Sequence, residues 1–295
     1  EDGYEHALMP GVKASDDARR LAAELAFASA RLTELQTDPP GLLAEAAVVG
    51  DLEEALWTVF LVAYLSPVER AEDPFASIAD ARVPWAGGEL PSLEGAQPGP
   101  RAAYDPKRGA GVDTLVAYRA RAEKAGGQVA LLSAEASLTP ARRFDRAFER
   151  LSLPRFPRTA RFEFLVLAGG LGLLDVAPSS LLLASAEPMD PTLLAAKRIF
   201  GIGDSINLQR RASELLQAVE VAPAALDLAL VNWSRPPGER ITAGSAADED
   251  PVVRTRVERA LGVAEDEASE DVVEAEDRDA DLAVRPFEDE GAAPA

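Results

Sequence analysis

The sequence predicts an all-α protein: a two-lobed helical body followed by a disordered acidic tail. Three observations carry this. Apolar residues recur at three- and four-residue steps, and no stretch alternates convincingly as a strand would. Helix punctuation is dense, with Asp-Pro and Thr-Pro starts and Gly or Pro-Pro stops. From Ser245 onward the composition turns acidic and poor in large apolar groups. The expected division is a globular domain over residues 1–240 and a low-complexity tail over 241–295.

Taken in order, Ser15-Asp-Asp-Ala reads as a helix start with Ser15 as N-cap. The helix is expected to run to about Leu35, with Leu21, Leu25, Ala28, Leu32 and Leu35 on one stripe. Asp38-Pro-Pro-Gly41 stops it, and a short Ala-rich helix follows to Val49. Asp51 caps Leu52–Leu65, which is apolar on nearly every side and is therefore predicted to be a buried central helix, with Trp57 and Tyr64 as core residues. A Pro- and Gly-rich excursion fills Val83–Gly111, and loops of that length are functional or mobile. Helices are then expected at Asp113–Ala125, Gln128–Ser137, and from Thr139-Pro140 through the arginines to Leu151. Next come Ala160–Leu174, a brief apolar segment at Pro178–Leu183 that reads as extended, and helices at Asp190–Phe200, Ser205–Val219 and Pro223–Trp233. Pro236-Pro237-Gly238 ends the body, and Pro251–Leu261 has the makings of one further helix.

Composition excludes several chemistries. With no cysteine there are no disulfides, thiolate zinc sites or iron–sulfur clusters. One histidine, His6, leaves no His-based triad or His-ligated metal, so any general acid or base must be Asp, Glu, Lys or Tyr. No metal or cofactor is expected. No apolar run reaches the roughly 18 residues of a membrane span, and no signal peptide is evident, so the expectation is a cytoplasmic protein with no membrane partner.

The net charge of −20 is unevenly placed. Residues 245–295 carry 17 acids and 5 arginines, whereas residues 101–161 carry 13 basic and 6 acidic residues. An acidic tail is thus expected to bind a basic partner or the chain's own basic face. Within that basic middle, Arg142, Arg143, Arg146 and Arg150 share one helix face, with Phe144, Phe148 and Leu151 opposite. A solvated, salt-bridged helix accounts for that pattern. It does not account for Arg155 and Arg158 in the following turn or for Arg161 beyond it.

The turn Leu153-Pro-Arg-Phe-Pro-Arg-Thr-Ala160, between an arginine-rich helix and an apolar one, resembles the hairpin of the helix–hairpin–helix DNA glycosylase superfamily. That hairpin offers unpaired backbone N–H groups at a helix N-terminus to a nucleic-acid phosphate. Here Arg155 and Pro157 replace the expected glycines, and one residue is missing. A second candidate turn, Gly201-Ile-Gly203, keeps both glycines but has Phe200 where a proline is expected. The chain's Arg and Ala usage also resembles that of high-GC actinobacterial proteins.

The resemblance implies DNA as partner, a base flipped between two lobes, and a carboxylate acting at the sugar. Asp175, 18 residues after Pro157, and Asp227, 24 residues after Gly203, are the candidate catalytic residues. Arg142, Arg146, Arg155, Arg158, Arg161, Gly201 and Gly203 are the candidate DNA contacts. Two alternatives stay open at this level: a non-catalytic all-α DNA-binding module, and a protein-interaction module with no nucleic-acid role. Whether the chain is an enzyme also stays open.

Overall fold

The structure is a computed structural model that describes residues 2–108, 111–133 and 137–264. Among the described residues it is all-helical, with α1 (Ser15–Thr37), α2 (Leu42–Val48), α3 (Leu52–Leu65), α4 (Ala76–Ala81), α5 (Val112–Ala125) and α6 (Gln128–Leu132). These are followed by α7 (Pro140–Arg150), α8 (Arg158–Gly170), α9 (Pro191–Phe200), α10 (Ser205–Val219), α11 (Pro223–Trp233) and α12 (Pro251–Ala260).

Two hydrophobic cores define two lobes. The first is built on α3, whose residues from Ala55 to Leu65 are all buried, and gathers α2 and α4–α8 around it. Its centre is aromatic: the Phe60 and Tyr118 rings stack at 3.8 Å, and Phe164 meets Phe60 edge-on. The second core combines α1 with α9–α12. The chain therefore begins in one lobe, builds the other, and returns. Leu32 of α1 packs against both cores, and Leu35 belongs to the first, so α1 spans the junction.

Local chemistry explains most boundaries. Asp51 accepts from the Glu53 and Glu54 N–H groups and starts α3. Thr139 and Asp190 cap α7 and α9, each with proline at the first helical position, where a missing N–H costs nothing. Asp204 caps α10.

Several expectations need correction. Ser15 is the first residue of α1 and not its cap; the Asp2 carboxylate holds the Ser15 N–H and hydroxyl. The apolar helix begins at Arg158, two residues before Ala160, and ends at Gly170. Helix α6 ends at Leu132, and residues 134–136 of the expected longer helix lie outside the described residues. Residues 178–185 form a bend and a 3-10 segment, with no extended strand.

The packed body also continues beyond residue 240. Ile241 and Ala243 are buried, and α12 places Val253, Val257 and Leu261 against α1. These residues recur every four positions, a helical stripe that the surrounding acids conceal in any average of composition. The rest of the acidic tail, residues 265–295, lies outside the described residues.

Candidate functional site at the junction of the lobes

The turn between α7 and α8 is held from behind. Arg121 donates to the Arg150 and Ser152 carbonyls at 2.7 and 3.0 Å, and the Thr114 hydroxyl donates to the Pro154 carbonyl at 2.7 Å. Arg155 is exposed and has φ 55°, the left-handed region that favours glycine. The turn thus keeps a glycine's backbone shape at the position where the resemblance expects glycine, at a cost of about 1–2 kcal/mol.

Pro157 carries no N–H, and the next residue, Arg158, opens α8 pointing inward. Arg158 is 0% exposed. This corrects the expectation of an exposed guanidinium in the turn and leaves no surface on it for a nucleic-acid phosphate. Its Nε donates to Asp190 at 2.9 Å, its Nη1 to the Leu181 carbonyl at 2.7 Å, and its Nη2 to Thr192 and to Asp227. Asp190 is used completely. One oxygen takes the Thr192 and Leu193 N–H groups that start α9; the other takes Arg158 and the Thr159 hydroxyl, in the first turn of α8. Two helix N-termini converge on one carboxylate, which their dipoles favour.

Asp227 lies on α11 and is 1% exposed. One oxygen accepts from Arg158 and from the Thr192 hydroxyl, the other from Arg101 Nη2 at 2.7 Å. Burial works to raise its pKa, but the Arg158 and Arg101 guanidiniums outweigh that and hold it down to about 2. Arg101 and Arg158 are themselves raised: burial acts to lower each, and the facing carboxylates prevail. Arg101 also faces Glu163 of α8 at 3.6 Å, and Glu163 pairs with Arg31 of α1. Three arginines and three carboxylates therefore form a buried seam that ties α1, α8, α9, α11 and the 82–111 loop across the two cores. Of these six, sequence reasoning singled out Arg158 and Asp227 as site residues and recognised Asp190 only as a cap. It missed Arg31, Arg101 and Glu163. The available signal for Arg101 was its place in the long Pro- and Gly-rich loop.

Beside the seam, the same loop lines two cavities. A crevice of about 310 Å³ runs between residues 68–70, 98–100 and 235–240, with Arg70, Arg235 and Arg240 along it beside Glu69 and Glu239. Gly99 is required there: a Cβ would fall 1.9 Å from the Pro67 carbonyl oxygen. Next to it, sharing Val68, lies a cavity of about 350 Å³ bearing Asp73, Asp80 and Glu94 and no basic side chain. Among the described residues no group of three or more His, Cys, Asp or Glu is placed to hold a metal.

The other expected residues sit elsewhere. Asp175 is exposed at the far end of α8's turn, paired with Arg143, and makes no contact with the seam. Arg142 and Arg146 are exposed on α7. Arg161 is half-buried, with its guanidinium 4.3 Å over the Phe148 ring. Gly201, at φ 83°, and Gly203 form the turn from α9 to α10, where Ile202 is 98% exposed. Asp204 at the following helix start already supplies a negative charge to that N-terminus, which disfavours a phosphate there.

No curated protein and no solved structure matches the chain. A family model described as alpha-glutamyl/putrescinyl thymine pyrophosphorylase clade 3 matches residues 103–243. That span holds Arg158, Glu163, Asp190 and Asp227 of the seam, and Arg101 lies two residues before it. A central segment, just under half of this chain, is thus similar to a family whose name joins a substituted thymine to pyrophosphate.

Proposed function

We propose that this protein acts on a modified thymine in DNA, exchanging a pyrophosphate substituent for an amine at the junction of its two lobes. The observation that carries this reading is the arginine-lined crevice lying against an acid-lined cavity, both beside the segment that resembles the thymine pyrophosphorylases. Guanidiniums suit a polyanionic leaving group. Carboxylates suit an amine donor such as putrescine, or the amino group of glutamate, which would arrive as ammonium. In the exchange a C–N bond forms to the base substituent, the C–O bond to pyrophosphate breaks, and the amine gives up its proton. Asp73, Asp80 and Glu94 are the candidate acceptors for that proton.

Within this reading Asp227 is a positioning residue. Both of its oxygens are committed to Arg101, Arg158 and Thr192. It has no free face with which to stabilise an oxocarbenium ion, so the geometry gives base excision no support. Arg142, Arg146 and Arg155, which are exposed, are the proposed contacts to DNA phosphates.

The test is an oligonucleotide carrying 5-hydroxymethyluracil esterified with pyrophosphate at its hydroxyl oxygen, incubated with putrescine or glutamate. Release of pyrophosphate that needs both protein and amine supports the proposal. DNA binding without release reduces the protein to a non-catalytic DNA-binding module. Neither binding nor release removes the nucleic-acid reading altogether.

A further inference from the structure

We infer that residues 282–287 of the acidic tail, Leu-Ala-Val-Arg-Pro-Phe, dock in an apolar cavity between α3, α6 and the end of α8, with the acids on either side of them lying over the arginines of α7. The inference stands apart from the chemistry proposed at the junction of the lobes.

The cavity holds about 250 Å³ and is lined by Leu52, Val129, Leu132, Leu173 and Leu174. All but Leu132 are only half-buried: they pack against the first core and leave their outer atoms uncovered. Aliphatic groups that converge on one concavity gain from an apolar occupant. Arg143 and Asp175 pair at the rim. The helix beside it is basic. Arg150 donates to the Leu131 and Ser133 carbonyls at the end of α6, and Ser133 borders the cavity. Arg146 lies between Arg143 and Arg150 at three- and four-residue steps on the same face of α7. Among the described residues, neither Arg142 nor Arg146 nor Arg150 forms an ion pair.

The occupant follows from what the tail contains. Residues 265–295 hold 13 acids and 2 arginines, and Phe287 is their single aromatic residue. Leu282, Val284 and Phe287 stand close together, with Asp277, Asp279 and Asp281 before them and Glu288, Asp289 and Glu290 after. An apolar plug between two anionic arms is the complement of an apolar cavity bordered by arginines. The chain is long enough to reach it. Leu261 meets Tyr4 near the start of α1, and Leu35 near the other end lies against Gly170 of α8, close to Leu173 and Leu174. With 23 residues, α1 spans about 35 Å. The 18 residues from Ala264 to Leu282 can span about 60 Å. Tethering then keeps the segment at high local concentration. On the function proposed above, tail and DNA would compete for Arg142 and Arg146.

The chain has no cysteine, so two introduced ones label it cleanly. Spin labels on the full-length Ser133→Cys/Ala280→Cys variant should give one short, narrow distance by double electron–electron resonance. Phe287→Ser, a change in the tail that leaves the packed body untouched, should abolish that short distance and spread the distribution. Leu174→Ser at the cavity should do the same, and Arg142→Glu/Arg146→Glu should do so at low salt. The Phe287→Ser arm survives misfolding of the others. A broad distribution in the parent overturns the docking. So does a short distance that Phe287→Ser leaves intact: if salt removes it, charge alone holds the tail, and if not, another segment fills the cavity. A short distance between singly labelled chains mixed together would seat a second copy's tail there, and overturns docking within one chain. No DNA is present, so a protein inert toward DNA would discard the function above and leave this result standing.

Discussion

Arg158 and Asp227, 69 residues apart in the chain, form a buried ion pair between the N-terminal turn of α8 and the middle of α11. The pair joins two lobes whose apolar cores are otherwise separate clusters. Its energetic meaning follows from what happens when one partner is lost. A buried ion pair adds little over an apolar replacement, but a single buried charge left behind is expensive.

Asp227→Asn should therefore destabilise the protein by about 3–5 kcal/mol, because Arg101 and Arg158 keep their charge in a dry site. In a domain of this size that lowers the melting temperature by roughly 10 °C. A melting temperature within about 2 °C of the parent, measured by calorimetry, would mean that water enters the seam and the pair is not truly buried.

Acid should weaken the same seam in a defined window. The Asp227 carboxyl is held at about 2 in the folded state against a reference value of 3.8. A depressed carboxyl contributes its stability in full above the unfolded pKa and loses it as pH falls through the folded value. Stability should hold down to about pH 4 and then decline toward pH 2, with this group accounting for roughly 2 kcal/mol. Denaturant midpoints of the parent and Asp227→Asn, measured from pH 6 to pH 2.5, check it. The variant should show the shallower decline.

The exposed arginines should behave oppositely to the buried one. Replacing Arg142, Arg146 and Arg155 together with Gln should leave the melting temperature nearly unchanged, since exposed charges contribute little to stability. DNA affinity should fall alike for all sequences, and the slope of log affinity against log salt should drop by about two to three. Arg158→Gln should instead lower the melting temperature strongly. If the triple variant binds DNA with an unaltered salt slope, these arginines do not contact phosphate.

The boundary of the packed body can be read by truncation. Ending the chain after Ala264 should leave the melting temperature intact, whereas ending it at Arg240 should lower it, because Val253, Val257, Leu261 and Val263 leave the second core. These four side chains, together with the buried Ile241, correspond to several kcal/mol. The shorter truncation removes 13 acids and 2 arginines. If the acidic segment competes for the basic surface, DNA binding should tighten at moderate salt; an unchanged affinity removes that competition.

What the sequence determined by itself is the helical layout. Helices at Leu52–Leu65, Ser205–Val219 and Pro223–Trp233 are legible to the residue, because each is set by a local cap or proline and by a repeat that burial enforces. The aromatic centre around Trp57 and Tyr64 is legible for the same reason. Only the tertiary structure decided which charges matter. Arg158 and Arg155 stand three residues apart in one turn and look alike in sequence. Yet α8's first turn carries one into the junction, and a left-handed backbone turns the other to solvent. Asp175 and Asp227 have similar spacing from their respective turns, and only Asp227 reaches the seam. Arg31 and Glu163 carry no local signature, and Arg101 has only its place in a long Pro- and Gly-rich loop, since a charge is paired or solvated according to what lies opposite it in space. Periodicity and capping act over one or two helical turns. An ion pair joining residues 69 or 126 positions apart is settled only when both cores have formed.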